Sequence, residues 1–157
     1  MRLLAVLIAG LVVGGVASAN ETKGREASSV EVVRAAFGLF NPAGGGQPQF
    51  VPAKVVPLVV NQAYGWVMVI KTSAQTVRWR EEFTLPAEPA TWGGAEPIGT
   101  RSMSDDRRTT VTEREVTPQN GIIFNSWAVA PGDPAGTYRM RISIDGHLVR
   151  TFEFEVK

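Results

Sequence analysis

Residues Pro131–Val156 read PGDPAGTYRMRISIDGHLVRTFEFEV, and their pattern decides the fold class. Tyr138, Met140, Ile142 and Ile144 alternate with Arg139, Arg141 and Ser143. Period-two alternation with one apolar face is the signature of a half-buried strand. After Asp145-Gly146 it resumes, with Leu148, Phe152, Phe154 and Val156 on one parity and Thr151, Glu153 and Glu155 on the other. Asp-Gly between two such runs signals a hairpin. A two-residue loop would pair Ile144 with His147 and set the apolar face of one strand against the polar face of the other. A three-residue loop, Ile144-Asp145-Gly146, pairs Ile142 with Leu148 and Tyr138 with Phe152, and puts Gly146 where a bulged turn needs positive φ. Matched faces favour the three-residue loop, because burying each large apolar side chain is worth roughly 1.5–3 kcal/mol.

Upstream, Pro131-Gly132-Asp133-Pro134-Ala135-Gly136 is turn chemistry throughout. The segment Thr137-Tyr138-x-Met140 that follows resembles the penultimate strand of immunoglobulin-like domains. In those domains a tyrosine after an Asp/Gly corner hydrogen-bonds back to the backbone, two residues before a core position. Met140 stands at that core position here, and the Asp133-to-Tyr138 spacing is one residue longer than in antibody-type corners. The closing Gly-x-Tyr, Asp-Gly and Phe-x-Phe-x-Val pattern is also similar to that of uncharacterised bacterial secreted domains of this kind. The resemblance implies an all-β, immunoglobulin-like antiparallel β-sandwich.

The chain starts with an export signal over residues 1–19. Arg2 is a positive n-region, Leu3–Val16 an apolar h-region, and Ala17-Ser18-Ala19 a small-x-small cleavage site. The apolar run is too short for a stable membrane anchor. Residues 20–29 read as a flexible lead-in and residues 30–157 as the β-sandwich domain. There is no cysteine, so neither a lipid-bearing terminus nor a disulfide scaffold is available. Lys and Arg total 16 and Asp and Glu total 15, so without Arg2 the two counts are equal. Such balance leaves no basic excess to steer the chain to nucleic acid or anionic lipid, so no nucleic-acid partner is expected. The expected location is the periplasm or the exterior of a bacterial cell.

Going along the chain, Val30–Phe40 carries two signals. Ser28-x-x-Glu31 matches a capping box, and Val33, Ala36, Phe37 and Phe40 lie at helical spacing. Val30, Val32, Val33 and Gly38 favour a strand, which is the preferred reading. Both faces of that strand are largely apolar, so it should be well covered. Asn41–Gln49, rich in glycine and proline, reads as a connector, since a phosphate loop needs a following helix N-terminus. Phe50–Val60 is a strand broken by Pro52 and Pro57, expected at a sheet edge or carrying a bulge. Tyr64–Thr72 is a central strand. In Thr76–Leu85, Val77, Trp79, Phe83 and Leu85 share a face with Glu81. Pro86–Arg108 is a long loop, and Thr109–Val116 a polar strand at an edge or partly exposed. Thr117–Gly121 is a turn and Ile122–Val129 another strand. These make about eight strands; a sandwich is the economical solution and a barrel the alternative.

Catalytic patterns are missing. His147 is the one histidine and lies beside the Asp-Gly turn. No nucleophile-elbow sequence occurs, and a zinc or copper site lacks ligands, so no cofactor and no enzymatic role are expected. Glu81-Glu82 and Glu153-x-Glu155 read as solvated charges interleaved with arginine. Asp105-Asp106 lacks the spacing of calcium loops. Long loops in compact domains are often functional, so the candidate binding residues are Trp92, Arg101, Asp105, Asp106, Arg107 and Arg108. The functional expectation is a non-enzymatic domain that binds a protein or cell-envelope component through residues 86–108 or by strand addition at Phe50–Val60 or Thr109–Val116. The alternative is a carbohydrate or small-ligand module. It requires two or more of Trp92, Tyr64, Trp79 and Trp127 to face solvent and lie coplanar.

Overall fold

The structure, a computed structural model, describes residues 30–41, 49–92 and 100–157. The expected export signal and lead-in lie outside the described residues, as do residues 42–48 of the expected connector and residues 93–99 of the long loop.

Ten strands follow one another: β1 (Glu31–Asn41), β2 (Gln49–Pro52), β3 (Val55–Val56), β4 (Ala63–Lys71), β5 (Val77–Thr84), β6 (Thr100–Met103), β7 (Thr109–Val116), β8 (Ile122–Ala128), β9 (Gly136–Ile144) and β10 (His147–Val156). They form a four-stranded sheet, β2-β1-β4-β8, and a six-stranded sheet, β3-β10-β9-β5-β7-β6. Two separate sheets make a sandwich and not a closed barrel. The preferred strand reading of Val30–Phe40 holds, because β1 pairs with both β2 and β4.

The expected strand Phe50–Val60 is two strands. Pro52 ends β2, the chain crosses to the other sheet, and β3 runs parallel to β10. Among the described residues that pair is the one parallel pairing in an otherwise antiparallel framework. Proline offers no ladder donor, and both pieces sit at sheet edges. The tenth strand arises inside the long loop, where β6 pairs with β7 from Thr100↔Glu113 to Met103↔Thr110. This corrects the edge placement of Thr109–Val116: β7 lies between β5 and β6.

The core lies between the sheets. Tyr64, Trp66 and Met68 of β4 and Phe37 of β1 face Trp79 and Phe83 of β5, Met140 of β9 and Phe154 of β10. Phe37 stacks on Phe154 at 4.0 Å, and Trp66 meets Trp79 edge-on at 5.3 Å. The Tyr138 hydroxyl donates to the Pro134 carbonyl at 2.7 Å, closing the corner before β9.

The closing hairpin takes the loop rejected above. His147 pairs with Ile144 and Leu148 with Ser143, and Asp145 and Gly146 both have positive φ, 48° and 84°. This is the two-residue turn, with its backbone matched to strand twist. The face mismatch it creates is corrected one turn later. The register shifts between Leu148 and Arg150, so that Phe152 meets Met140 and Phe154 meets Tyr138. Val149 is the extra residue of a β-bulge, and Leu148, ahead of it, faces solvent. Deleting Val149 would remove the bulge and run the two-residue hairpin straight into the same pairings, with Phe152 still opposite Met140 and Phe154 still opposite Tyr138. The expected outcome is a retained cooperative thermal transition, read by near-UV circular dichroism.

Candidate functional site

Glu81 is fully buried. It sits in β5 with its side chain on the core face, between Trp79 and Phe83 in the alternation. Three donors reach it from the opposite sheet. The Trp66 indole N–H donates to Oε2 at 2.5 Å, the Trp127 indole N–H to Oε1 at 2.7 Å, and the Asn125 amide to Oε1 at 3.1 Å. Trp66 comes from β4, and Asn125 and Trp127 come from β8, so one carboxyl group ties two strands of the other sheet to β5. Burial pushes the Glu81 carboxyl above its ordinary pKa; the three hydrogen bonds and the charge of Arg114 act the other way. The reading of Glu81 as a solvated charge is thereby corrected, while Glu82 is indeed on the outer face, bonded to Arg80 and Arg141.

The residues selected from the long loop form a strap across one end of the sandwich. Trp92 is folded inward, and its indole donates to the Arg107 carbonyl at 2.7 Å. Arg101 extends along the Trp92 and Trp127 rings, with its guanidinium 5.8 Å and 5.2 Å from their centroids. It also donates to Thr110 Oγ1 at 3.0 Å and to the Trp92 carbonyl. Burial lowers the Arg101 pKa. Arg107 pairs with Glu88 at 2.6 Å, and Arg108 donates to the Leu85 carbonyl at 3.3 Å. Asp106 accepts from the Ser104 hydroxyl and the Arg108 N–H, and these bonds lower its pKa. Asp105 is exposed. Trp92, Arg101, Arg107 and Arg108 are thus brought together, with their polar groups directed largely at the strap itself.

The exposed aromatic platform needed for carbohydrate binding is not formed by its four candidates. Tyr64, Trp79 and Trp92 are buried, Trp127 is half-buried, and the Trp92 and Trp127 planes cross at 71°. Beside them is a cavity of about 50 Å³ lined by Tyr64, Phe83, Trp92, Trp127 and Asp133. It has room for a few waters and not for a sugar ring. Among the described residues, no three His, Asp or Glu side chains gather as metal ligands.

The sequence profile of the PM0630 beta sandwich domain matches residues 35–157. The chain belongs to the PM0630 beta sandwich domain family. Among solved structures, it is similar to an immunoglobulin-like protein of Pseudomonas aeruginosa, with a TM-score of 0.59 and 13% identity, over 82% of this chain and 97% of that one. At that identity the likeness shows the fold: a bacterial immunoglobulin-like β-sandwich. No curated protein matches the chain.

In this PM0630 domain the two outer faces differ sharply. That of the six-stranded sheet carries ion pairs, Arg78–Glu115, Arg80–Glu113, Arg80–Glu82 and Arg141–Glu82. That of the four-stranded sheet is apolar. Its rows, read from the strand register, are Phe50–Phe40–Ala63–Ala128, then Ala36–Val67–Phe124, then Arg34–Val69–Ile122. Gly38 and Gly65 are register partners on this face. A Cβ on either would strike the carbonyl of Val51 or Asn125, and the Phe40 and Phe124 rings close over the gap at 6.1 Å. Phe124 is 58% exposed and Ile122 41%. The expectation that β1 would be covered on both sides is therefore not met among the described residues. Sequence reading missed this face because an apolar run suits burial on two sides as well as on one.

Replacing Glu81 by alanine leaves a cavity and orphans three buried donors, an expected loss of roughly 3–5 kcal/mol. Glu81→Gln, which turns an N–H₂ group toward one of the donors, should cost about 1–3 kcal/mol. Because the folded pKa is raised, folding favours the protonated carboxyl. That stabilisation is complete below the unfolded value near 4.5 and declines as pH rises through the folded value. Urea titrations from pH 4 upward should show this decline in the parent protein and not in Glu81→Gln.

Proposed function

We propose that the protein is an exported, non-enzymatic immunoglobulin-like domain that binds a protein or cell-envelope component through the outer face of its four-stranded sheet. The observation that carries this reading is the apolar outer face itself. Antiparallel sheets of soluble proteins normally turn polar side chains outward, as the six-stranded sheet does here. A contiguous apolar face on the other side marks an interaction surface. Its membership supports the same reading: Phe40, Phe50 and Phe124 give it aromatic anchors, and Arg34 and Ser126 are polar members at its margins.

This surface takes precedence over the strap. The strap's arginine and tryptophan donors serve its own closure, which is the behaviour of a structural brace. Glu81, the buried core carboxyl whose pKa burial raises, is enclosed and out of reach of a substrate. That supports a binding role over a catalytic one. The apolar leader over residues 1–19 supports export.

Two measurements test the reading. Cell fractionation should place the protein outside the cytoplasm with its chain starting at Asn20. In-cell cross-linking followed by affinity capture should recover an envelope partner, and Phe124→Lys should reduce the capture at least tenfold while the thermal midpoint moves by no more than a few degrees. If Asp105→Ala and Arg107→Ala abolish capture while Phe124→Lys leaves it intact, the partner docks on the strap and the face reading fails.

A further inference from the structure

The sandwich has four sheet edges, and three are protected. Edge strands offer unpaired backbone groups to any passing chain, and natural proteins blunt them with short lengths, proline or charge. β2 has four residues and ends in Pro52. β3 has two residues. β6 has four and carries Arg101. The fourth edge, β8, is seven residues long, reads IIFNSWA, and contains neither charge nor proline.

The direction of its backbone groups follows from the bonds at its two ends. The Gly121 carbonyl accepts from Ile70 N–H, and Val129 N–H donates to the Gln62 carbonyl, so the odd-numbered residues turn their N–H and C=O toward β4. The even-numbered residues turn theirs away. At Ile122 those groups are already bonded to Gln119. At Phe124, Ser126 and Ala128 they point along the open side of β8, where no strand pairs among the described residues. The inner side chains of this strand cannot easily shift, since Asn125 and Trp127 are held by Glu81. The edge is therefore rigid, uncharged and open over one defined stretch.

We infer that β8 is a homodimer interface, pairing antiparallel with β8 of a second copy about a two-fold axis at Ser126. Only a register centred there lets all three open residues exchange both bonds: Phe124 with the mate's Ala128, Ser126 with Ser126, and Ala128 with the mate's Phe124. That register also suits the side chains. A large ring falls opposite a methyl group, and two hydroxyls meet on the axis, where they can hydrogen-bond. With no charge on β8, like charges do not oppose each other across the axis, which is the usual obstacle to pairing a strand with itself. A partner of this kind forms an isologous, closed contact. The two four-stranded sheets become one continuous sheet, and their apolar outer faces merge into a single surface of twice the length. This goes beyond the proposed function: the face is where a partner docks, and the edge is where the second copy pairs.

The test uses the exported protein, which has no native cysteine. Sedimentation velocity over a wide concentration range should give a mass of two chains. In Ser126→Cys the paired Cα atoms would stand about 5.5 Å apart, within disulfide reach, so mild oxidation should convert most of the protein to a covalent dimer. Ser102→Cys on β6 should remain a single chain. Ser126→Pro removes an outward N–H that an edge strand can forgo, so it should fold and weaken dimerisation at least tenfold. A one-chain mass at every concentration together with an unlinked Ser126→Cys would overturn the inference, as would a dimer linked by Ser102→Cys instead. A monomer that still captures its envelope partner sinks the dimer and leaves the docking face standing. A Ser126-linked dimer that captures nothing does the reverse.

Discussion

The two sheets are held in register by one carboxyl group. A buried carboxylate is expensive to desolvate, and Glu81 is tolerated because three N–H donors converge on its two oxygens. All three come from the facing sheet. In antibody-type domains a disulfide spans the sheets at the core; this chain has no cysteine, and Met68 and Met140 are packed in its core. The Glu81 cluster supplies a directional tie that methionine packing lacks. Other features follow from it. Trp127, fixed by Glu81, is the plate on which Arg101 lies. Arg101 holds the Trp92 carbonyl, and Trp92 bonds the Arg107 carbonyl. The strap across the end of the sandwich is thus the last link of a chain of contacts that starts at the carboxyl.

Strand periodicity exposed half of this and hid the other half. The parity of β5 put Glu81 on the inward face with Trp79 and Phe83. Only its formal charge argued for solvent, and that argument ignores what can reach a side chain from another sheet. Trp66, Asn125 and Trp127 lie 15, 44 and 46 residues away in sequence, and no local pattern reports such an encounter. The hairpin fails differently. Matching apolar faces was the right constraint, but it says only that one extra residue is needed and not where it goes. The turn takes its preferred two-residue geometry because Asp145 can adopt positive φ. The extra residue then appears at Val149, whose side chain carries no turn signal.

The long loop was hard to read for a related reason. Proline, glycine and charge in Pro86–Arg108 show that the segment is not a core strand. They do not show where its polar groups point. An arginine that closes a strap and an arginine that awaits a ligand have the same sequence signature, and only the position of Thr110 Oγ1 and the Trp92 and Trp127 rings distinguishes them. Four residues of the same loop are moreover in a strand, β6, since β7 has an open side that a short polar strand can cover.

The surface that remains available is the one that looked most like core. β4 reads Tyr-Gly-Trp-Val-Met-Val-Ile, a continuous apolar run, and such a run ordinarily means cover on both faces. The sandwich covers Trp66, Met68 and Ile70 and leaves Val67 and Val69 half-buried on the outside. The same asymmetry recurs in β1, where Phe37 is inside and Phe40 outside, and in β8, where Ile123 is inside and Phe124 outside. Three adjacent strands share it, so it is a property of the sheet and not of one residue. A sheet whose apolar pattern is two-sided while its architecture covers one side leaves the other as the docking face proposed above. Holding β8 by Glu81 on its inner side keeps that outer face and its open edge in a fixed geometry before any partner arrives, which reduces the ordering that association would otherwise require.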